Sequence, residues 1–247
     1  MKQLLIAIPF YNRTRLLVHC LATLAALKGR NRAQFSIYLD VGFDAKAANL
    51  IPDRLPEASV FHMSGRGGAS GVMHKMISDH AQCAEPNSRM LLLDADMIVR
   101  TDLIDTILDI PLRHDMLVSV YNSNLHLPHH SSAARFLHKS RLGATGTLWT
   151  TELAQFVVNN VPAQTHYDDR FCEFLNQERT LMCCTSISHV QHLGIAGSNN
   201  GYFGKLDHGL NYTPDGPEQL IAISEVFSEL MSNQSCYLGK PKPLSGE

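Results

Sequence analysis

Short apolar runs alternate with amphipathic stretches along the first hundred residues. Leu4 to Ile8 is uninterrupted apolar chain ended by Pro9 and predicts a buried strand. Arg13 to Lys28 follows, with Leu16, Leu17, Cys20, Leu21, Leu24 and Leu27 on one helical face and Gly29 as the stop. Phe35 to Leu39 predicts a second strand, Ala45 to Ile51 a short helix, and Val60 to Met63 a third strand. Gly71 to Gln82 predicts another long helix, and Met90 to Leu93 a fourth strand. This order implies a parallel sheet with right-handed crossovers.

Beyond Asp96 the pattern is mixed. Leu103 to Ile110 reads as helix and Met116 to Tyr121 as strand. Asn122 to Arg141, rich in His and Ser, reads as a long loop that has room for a short helix. Thr151 to Asn160 and Asp168 to Gln177 read as helices, and Leu181 to Thr185 as a strand. Gly194 to Gly204 is glycine- and asparagine-rich, so it reads as a loop. Pro217 to Met231 predicts an amphipathic helix with Leu220, Ile223, Val226, Phe227 and Leu230 inward, and Pro217 suits its first turn. The chain from Gly239 reads as a tail, and no repeat or interdomain linker is visible.

Composition narrows the class. A chain of 247 residues with 45% hydrophobic and 18% charged content builds one large domain or two small ones and is not disordered. A net charge of -2 argues against a broad nucleic-acid surface. The six cysteines show no paired-ligand spacing, so reduced core thiols in a cytosolic protein are the expectation. No secretory signal is visible, because Pro9 and then Arg13 and Arg15 interrupt the first apolar run. No stretch has the length of a membrane span. The thirteen histidines are scattered, with His129-His130 the one adjacent pair.

Candidate chemistry collects at the strand ends. In extended backbone, residues i and i+2 share a side, so Asp94 and Asp96 after the fourth strand can face one point. Mg2+ or Mn2+ takes oxygen ligands of this kind and shares them with substrate phosphates. Ligands of open parallel sheets bind beyond the carboxyl ends of the strands. Those ends carry Pro9-Phe10-Tyr11-Asn12-Arg13, Asp40-Val41-Gly42-Phe43-Asp44, the glycine loop Ser64 to Gly71, and Asp94-Ala95-Asp96. The glycine loop is not a dinucleotide fingerprint, since Ser70 stands where the third glycine belongs, and no Walker lysine-serine pair follows. Its backbone N–H groups, with Arg66 and with Lys75 one turn into the helix, still suit a diphosphate.

At these residues the chain resembles the GT-A-type glycosyltransferases, most closely the glycosyltransferase family 2-like group. The resemblance rests on Ile8 to Arg13, on Arg66-Gly67-Gly68 with the following helix, on Leu92 to Asp96 as a D-x-D motif, and on Ser188 to Gly194. It spans most of residues 1–200 and implies an α/β, Rossmann-like fold with a mixed, mainly parallel central sheet flanked by helices. A single domain over 1–238 is implied, with a nucleotide-binding half (1–98), a donor-sugar and acceptor half (99–238), and a tail at 239–247. Pro9, Tyr11, Asn12, Arg13, Asp40, Arg66, Gly67, Lys75 and Asp94 would hold the nucleotide. The family's second strand ends in adjacent acidic residues, and here only Asp40 matches.

The activity implied is transfer of a sugar from a UDP- or GDP-sugar to a glycan or lipid-linked hydroxyl, with Mn2+ or Mg2+. Asp96 would bind the metal, Asp94 ribose or metal, and His192 would be a further ligand, with His189 as the fallback. The base of an inverting transfer would be Asp169, with Asp168 the alternative, in Tyr167-Asp168-Asp169-Arg170. Read locally, those two residues suit a helix cap and a first turn. Gly143 to Gly146 would lie under the donor sugar, Trp149 would stack on a sugar or sit in the core near a helix start, and Gly194 to Gly204 would be a lid or an ordinary loop. No nucleic-acid partner is expected, and the location implied is cytoplasmic, with peripheral membrane contact allowed. The alternatives are a sugar nucleotidyltransferase and a non-catalytic nucleotide-sugar-binding protein.

Overall fold

A computed structural model describes residues 4–82, 88–126, 128, 135–194 and 207–231. The expectations placed on His129-His130, on most of Gly194 to Gly204, on Cys83 and Cys236, and on the tail lie outside these residues.

The first half is built from β1 (Leu4–Phe10), α1 (Thr14–Ala25), β2 (Ala33–Leu39), α2 (Ala45–Arg54), β3 (Ser59–His62), α3 (Gly68–Gln82) and β4 (Arg89–Leu92). The strands are parallel, in the order β3-β2-β1-β4. Alternation sorts their side chains. Ile6, Ile8, Leu91 and Leu93 join Leu17, Leu21 and Ile51 of α1 and α2 in one core cluster. Ala7, Met90 and Leu92 join Met76 and Ile77 of α3 in another on the opposite face. Both faces are covered, as near-continuous apolar strands require.

The second half contributes β5 (Met97–Val99), α4 (Leu103–Leu108), β6 (Met116–Ser119), β7 (Phe136–His138), β8 (Thr147–Thr150), α5 (Thr151–Asn160), α6 (Tyr167–Gln177), β9 (Leu181–Thr185), β10 (Val190–His192) and α7 (Pro217–Met231). The main sheet continues β4-β8-β6-β9-β7. β8 is antiparallel to both β4 and β6, and β6 is parallel to β9. The carboxyl ends of β4, β6 and β9 therefore point to the same edge as those of β1 to β3. The result is the α/β architecture expected, mainly parallel, with β8 and β7 as antiparallel insertions. β5 and β10 form a separate antiparallel ribbon that pairs His192 with Met97.

Two expectations change, and of the two readings of Trp149 the core one holds. Asn122 to Arg141, read as a loop, contains β7, whose Leu137 is buried opposite Cys184. Trp149 is fully buried inside β8, with Thr150 after it capping α5 by accepting from the Leu153 N–H. In α7, Leu220 and Phe227 face outward, 59% and 53% exposed, whereas Gln219, Ala222 and Val226 are buried. The side chain of Leu230 lies outside the description. Val226 is buried and Ile223 packs on the core as expected, and the offset of the rest has a polar contribution: Gln219 Nε2 donates to the Val99 carbonyl of β5 at 2.8 Å. A buried carbonyl needs a donor, and that requirement outranks the apolar stripe. The expected thiols stand: Cys20, Cys172, Cys183 and Cys184 are buried and free.

Candidate active site

β4 delivers the acidic pair. The β1–β4 register ends at Ala7 and Leu92, and two residues on Pro9 has no N–H to extend it. The chain leaves the sheet at Asp94, whose N–H donates to Thr145 Oγ1 at 3.0 Å. Asp96 is then held by the β5–β10 ribbon, its carbonyl accepting the Leu193 N–H at 2.9 Å.

Asp96, His192, Arg13 and Gly194 meet at one point. Asp96 Oδ2 lies 2.5 Å from Arg13 Nη1 and 3.2 Å from His192 Nε2. Arg13 reaches it from just before α1, with its backbone in the left-handed region (φ 76°). A Cβ on Gly194 would stand 2.4 Å from Asp96 Oδ2, 2.8 Å from Arg13 Nη1 and 2.9 Å from His192 Nε2, so any larger residue there would displace these side-chain ends. Burial raises the Asp94 carboxyl, and the neighbouring charges of Asp96 and Asp168 push it further. Burial acts the same way on Asp96, but His192 and Arg13 outweigh it and hold that carboxyl low. Burial would lower His192; the charge and hydrogen bond of Asp96 reverse this and keep the imidazole protonated more readily than usual. The two carboxyls of the pair are thus pushed in opposite directions, Asp96 toward its ionised form and Asp94 toward its neutral one.

The glycine loop is organised by Asp40. Its carboxylate, 3% exposed, accepts the N–H groups of Val41 (2.9 Å), Gly67 (2.9 Å) and Gly68 (3.0 Å). Two of the amides expected to face a phosphate are therefore already engaged, and Asp40 acts at least as the staple between the second and third loops. Arg66 projects over Tyr11, its Cζ 5.7 Å from the ring centroid, and a Cβ on Gly42 would lie 3.5 Å from the same ring. The ends of β1, β2 and β3 thus meet at Tyr11. Asn12 is exposed on that loop. Lys75 pairs with Asp79 along α3, and Asp79 also accepts the Tyr38 hydroxyl at 3.1 Å. Asp44 caps α2, as expected from its place, and also accepts the Thr14 hydroxyl.

The second half adds further groups. His166 takes the cap position of α6, so Asp168 and Asp169 both lie in the first turn, not one as cap and one within. The Asp168 charge acts on Asp94, whereas Asp169 pairs with Arg141. Gly146 has φ 77°, and a Cβ there would be 2.6 Å from Tyr121 Cβ. Within this stretch Thr145 holds the Asp94 N–H and Gly146 admits no Cβ, whereas Gly143 faces open space. His189 is near Asp102, at 3.9 Å, and not at Asp96. Sequence reasoning missed Asp207, which accepts the hydroxyls of Tyr121 (2.8 Å) and Ser123 (2.6 Å), and it missed the fully buried Lys139, which donates to Asn122 Oδ1 at 2.8 Å. Neither sits in a motif, so no spacing signal could have found them. Two hollows of about 370 Å3 and 460 Å3 lie elsewhere, beside α2 and β3 and beside α4, and neither includes Asp94 or Asp96.

Among the described residues no group of three or more His, Cys, Asp or Glu encloses a metal ion unaided. Asp96 and His192 are the pair that would supply two ligands, once His192 gives up the hydrogen bond that now joins it to Asp96. Adjacent ligands about 2.1 Å from an octahedral ion stand about 3 Å apart, and Asp96 Oδ2 to His192 Nε2 is 3.2 Å. His192 Nδ1 is buried without a hydrogen-bond partner. A carboxylate with an imidazole suits Mn2+ better than Mg2+.

No protein-family model matches the chain, and no curated protein matches it. Solved structures do match its fold. S. aureus TarS 1-349 in complex with UDP-GlcNAc aligns at TM-score 0.57 and 11% identity, over 93% of this chain and 66% of that one. The Pyrobaculum calidifontis mannosyltransferase PcManGT in complex with GDP-Man and Mn2+ aligns at TM-score 0.53 and 11% identity, over 75% of this chain and 57% of that one. Complete S. aureus TarS aligns at TM-score 0.51, over 93% of this chain and 40% of that one. This chain therefore spans just under two thirds of the first structure's length. With the strand order and the shared edge above, these alignments give the chain the GT-A-like fold of glycosyltransferases.

Proposed function

We propose that this protein transfers a sugar from a UDP- or GDP-sugar to a hydroxyl of a glycan or lipid-linked acceptor. The observation that carries the reading is the contact of Asp96 with His192, close enough to Asp94 for their charges to act on its carboxyl, at the edge where the loops of β1, β2 and β3 converge on Tyr11. The matched structures hold UDP-GlcNAc and GDP-Man with Mn2+, which supports a nucleotide-sugar donor here. In this reading residues 1–98 bind the nucleotide and residues 99–238 bind the sugar and acceptor.

Each residue has a derivable task. Tyr11, with Arg66 above it, offers an aromatic face to a base, and Asp40 keeps the glycine loop in place beside it. Asp96 and His192 would hold a divalent ion, which when bound supplies positive charge against the departing phosphate. Arg13 places a guanidinium within reach of the same phosphates. For an inverting transfer a carboxylate must take the acceptor proton. Asp168 is favoured, because its charge already reaches Asp94 while Asp169 is engaged by Arg141. No helix among the described residues is long and apolar enough to cross a membrane. A cytoplasmic location and peripheral membrane contact belong to this same proposal.

The test is a screen of UDP- and GDP-sugars for Mn2+-dependent donor hydrolysis. The expected outcome is turnover of one donor, lost on EDTA treatment and reduced about 1,000-fold in Asp96→Asn. Pyrophosphate release from a nucleoside triphosphate would point to a nucleotidyltransferase instead. Donor binding without any turnover would point to a binding protein.

A further inference from the structure

Asp96 Oδ2 is already saturated. A carboxylate oxygen has two lone pairs, and here Arg13 Nη1 lies 2.5 Å and His192 Nε2 3.2 Å away. The Asp96 side chain is 11% exposed and that of Arg13 22%, so solvent screens this pair weakly. Gly194 closes the remaining side, since even a Cβ there would overlap all three groups. Arg13 does this from a left-handed backbone (φ 76°, ψ 48°) that a residue with a Cβ adopts only under constraint.

A metal ion on Asp96 Oδ2 and a guanidinium on the same atom exclude each other. Both are positive, and Oδ2 has no lone pair beyond the two that Arg13 and His192 hold. Removing Arg13 from Asp96 separates a shielded ion pair, which is unfavourable unless the guanidinium gains another anion. A nucleoside diphosphate is such an anion, and a guanidinium binds phosphate in a well-matched fork.

We propose that Arg13 stands in for the cation in the donor-free protein, occupying Asp96 until a metal and a nucleoside diphosphate arrive together and draw it onto the phosphates. Arg13 is thus a positioning residue that makes metal and nucleotide binding cooperative. By reciprocity the two ligands strengthen each other by the same factor, and such couplings commonly reach roughly 5- to 150-fold. The inference rests on the donor-site reading above.

Mn2+ binding to the full chain, followed by electron paramagnetic resonance of the free ion, tests it, alone and with UDP or GDP. In the wild type, one nucleotide should tighten Mn2+ binding by roughly tenfold or more. In Arg13→Asn, nucleotide-free Mn2+ should bind roughly tenfold more tightly than in the wild type, and the nucleotide effect should shrink by the same factor. Asparagine tolerates the left-handed backbone, so the fold should persist. Arg13→Gln repeats the measurement with a longer neutral side chain should the first variant not fold, and Arg13→Lys, which keeps the charge, should stay close to the wild type. A folded neutral variant whose nucleotide-free Mn2+ affinity is unchanged overturns the proposal. So does a wild type that binds Mn2+ equally well with and without nucleotide. A wild type that binds neither Mn2+ nor either nucleotide removes the donor-site reading itself, and this inference with it.

Discussion

Gly194 shows how much a single hydrogen atom in place of a methyl group decides. The Cβ of an alanine there would stand 2.4 Å from Asp96 Oδ2 and 2.9 Å from His192 Nε2, far inside contact distance. Something must shift, and the movable parts are the groups proposed to do the chemistry. Gly194→Ala should therefore leave the thermal midpoint nearly unchanged while lowering donor turnover about 100-fold, the usual penalty for misplacing reacting groups by an ångström. Equal turnover in the variant would show that this junction is not the reacting centre. His80 carries the opposite kind of prediction, about stability and not activity. It is 1% exposed, its Nε2 meets the Trp149 carbonyl at 3.3 Å, and burial pushes its pKa down to about 4. The folded state thus favours the neutral ring, whereas the unfolded chain protonates near 6.5. Its contribution is complete above about pH 6.5 and is lost as pH falls toward 4, a difference of up to about 3 kcal/mol. Denaturant titrations from pH 7 to 4 should show that slope, and His80→Gln, which keeps a donor for Trp149, should flatten it. At this scale the acidic pair and the Asp44 cap were legible, because they follow the apolar runs of the fourth and second strands, whereas His192 was reached only through the family resemblance. Asp207, Lys139 and the role of Gly194 were not, because they depend on contacts between distant segments that leave no trace in local spacing.

Elements were legible in proportion to the apolar surface they display. The long runs that became β1, β2, β4, α1 and α3 declared themselves by period alone. β5, β8 and β10 have three or four residues each, too few for alternation to register, and their pairing is decided by partners far along the chain. α7 is the instructive case, because its period was right but its expected inward stripe is buried only in part, at Val226 and Ile223. The stripe chosen by hydrophobicity holds Leu220 and Phe227, yet the helix turns Gln219 inward to satisfy the Val99 carbonyl and packs Ala222 and Val226 behind it. Leu220→Ser and Phe227→Ser should each change stability by no more than about 0.5 kcal/mol. Val226→Ala should cost about 2 kcal/mol, and Gln219→Leu should cost at least as much as a lost buried hydrogen bond, about 1–3 kcal/mol. Chemical denaturation of the four variants decides between the two facings. A large loss in Leu220→Ser and Phe227→Ser with none in Gln219→Leu would reverse the assignment.

The whole molecule converts chain order into a site by one geometric device. β8 runs backward between β4 and β6, which lets the second half of the chain present its strand ends at the edge already used by the first. The β5–β10 ribbon then folds His192 over Asp96, joining residues nearly a hundred positions apart. A site assembled this way from both halves should stabilise both when it is filled. A ligand present at a hundred times its Kd adds about 2.7 kcal/mol to the folded state. For a domain of this size that corresponds to about 5–10 °C in thermal midpoint. The proposed donor nucleotide with Mn2+ should therefore raise the midpoint by that amount, and a single cooperative transition should persist. Were the nucleotide held by residues 1–98 alone, independently of the second half, the transition would split, with only one part moving upward. EDTA should remove most of the shift, since Asp96 and His192 would then have nothing to share with the phosphates. A full shift in EDTA would mean that the nucleotide is gripped by Tyr11, Arg66 and Arg13 without a metal, and the roles given to Asp96 and His192 would have to be withdrawn.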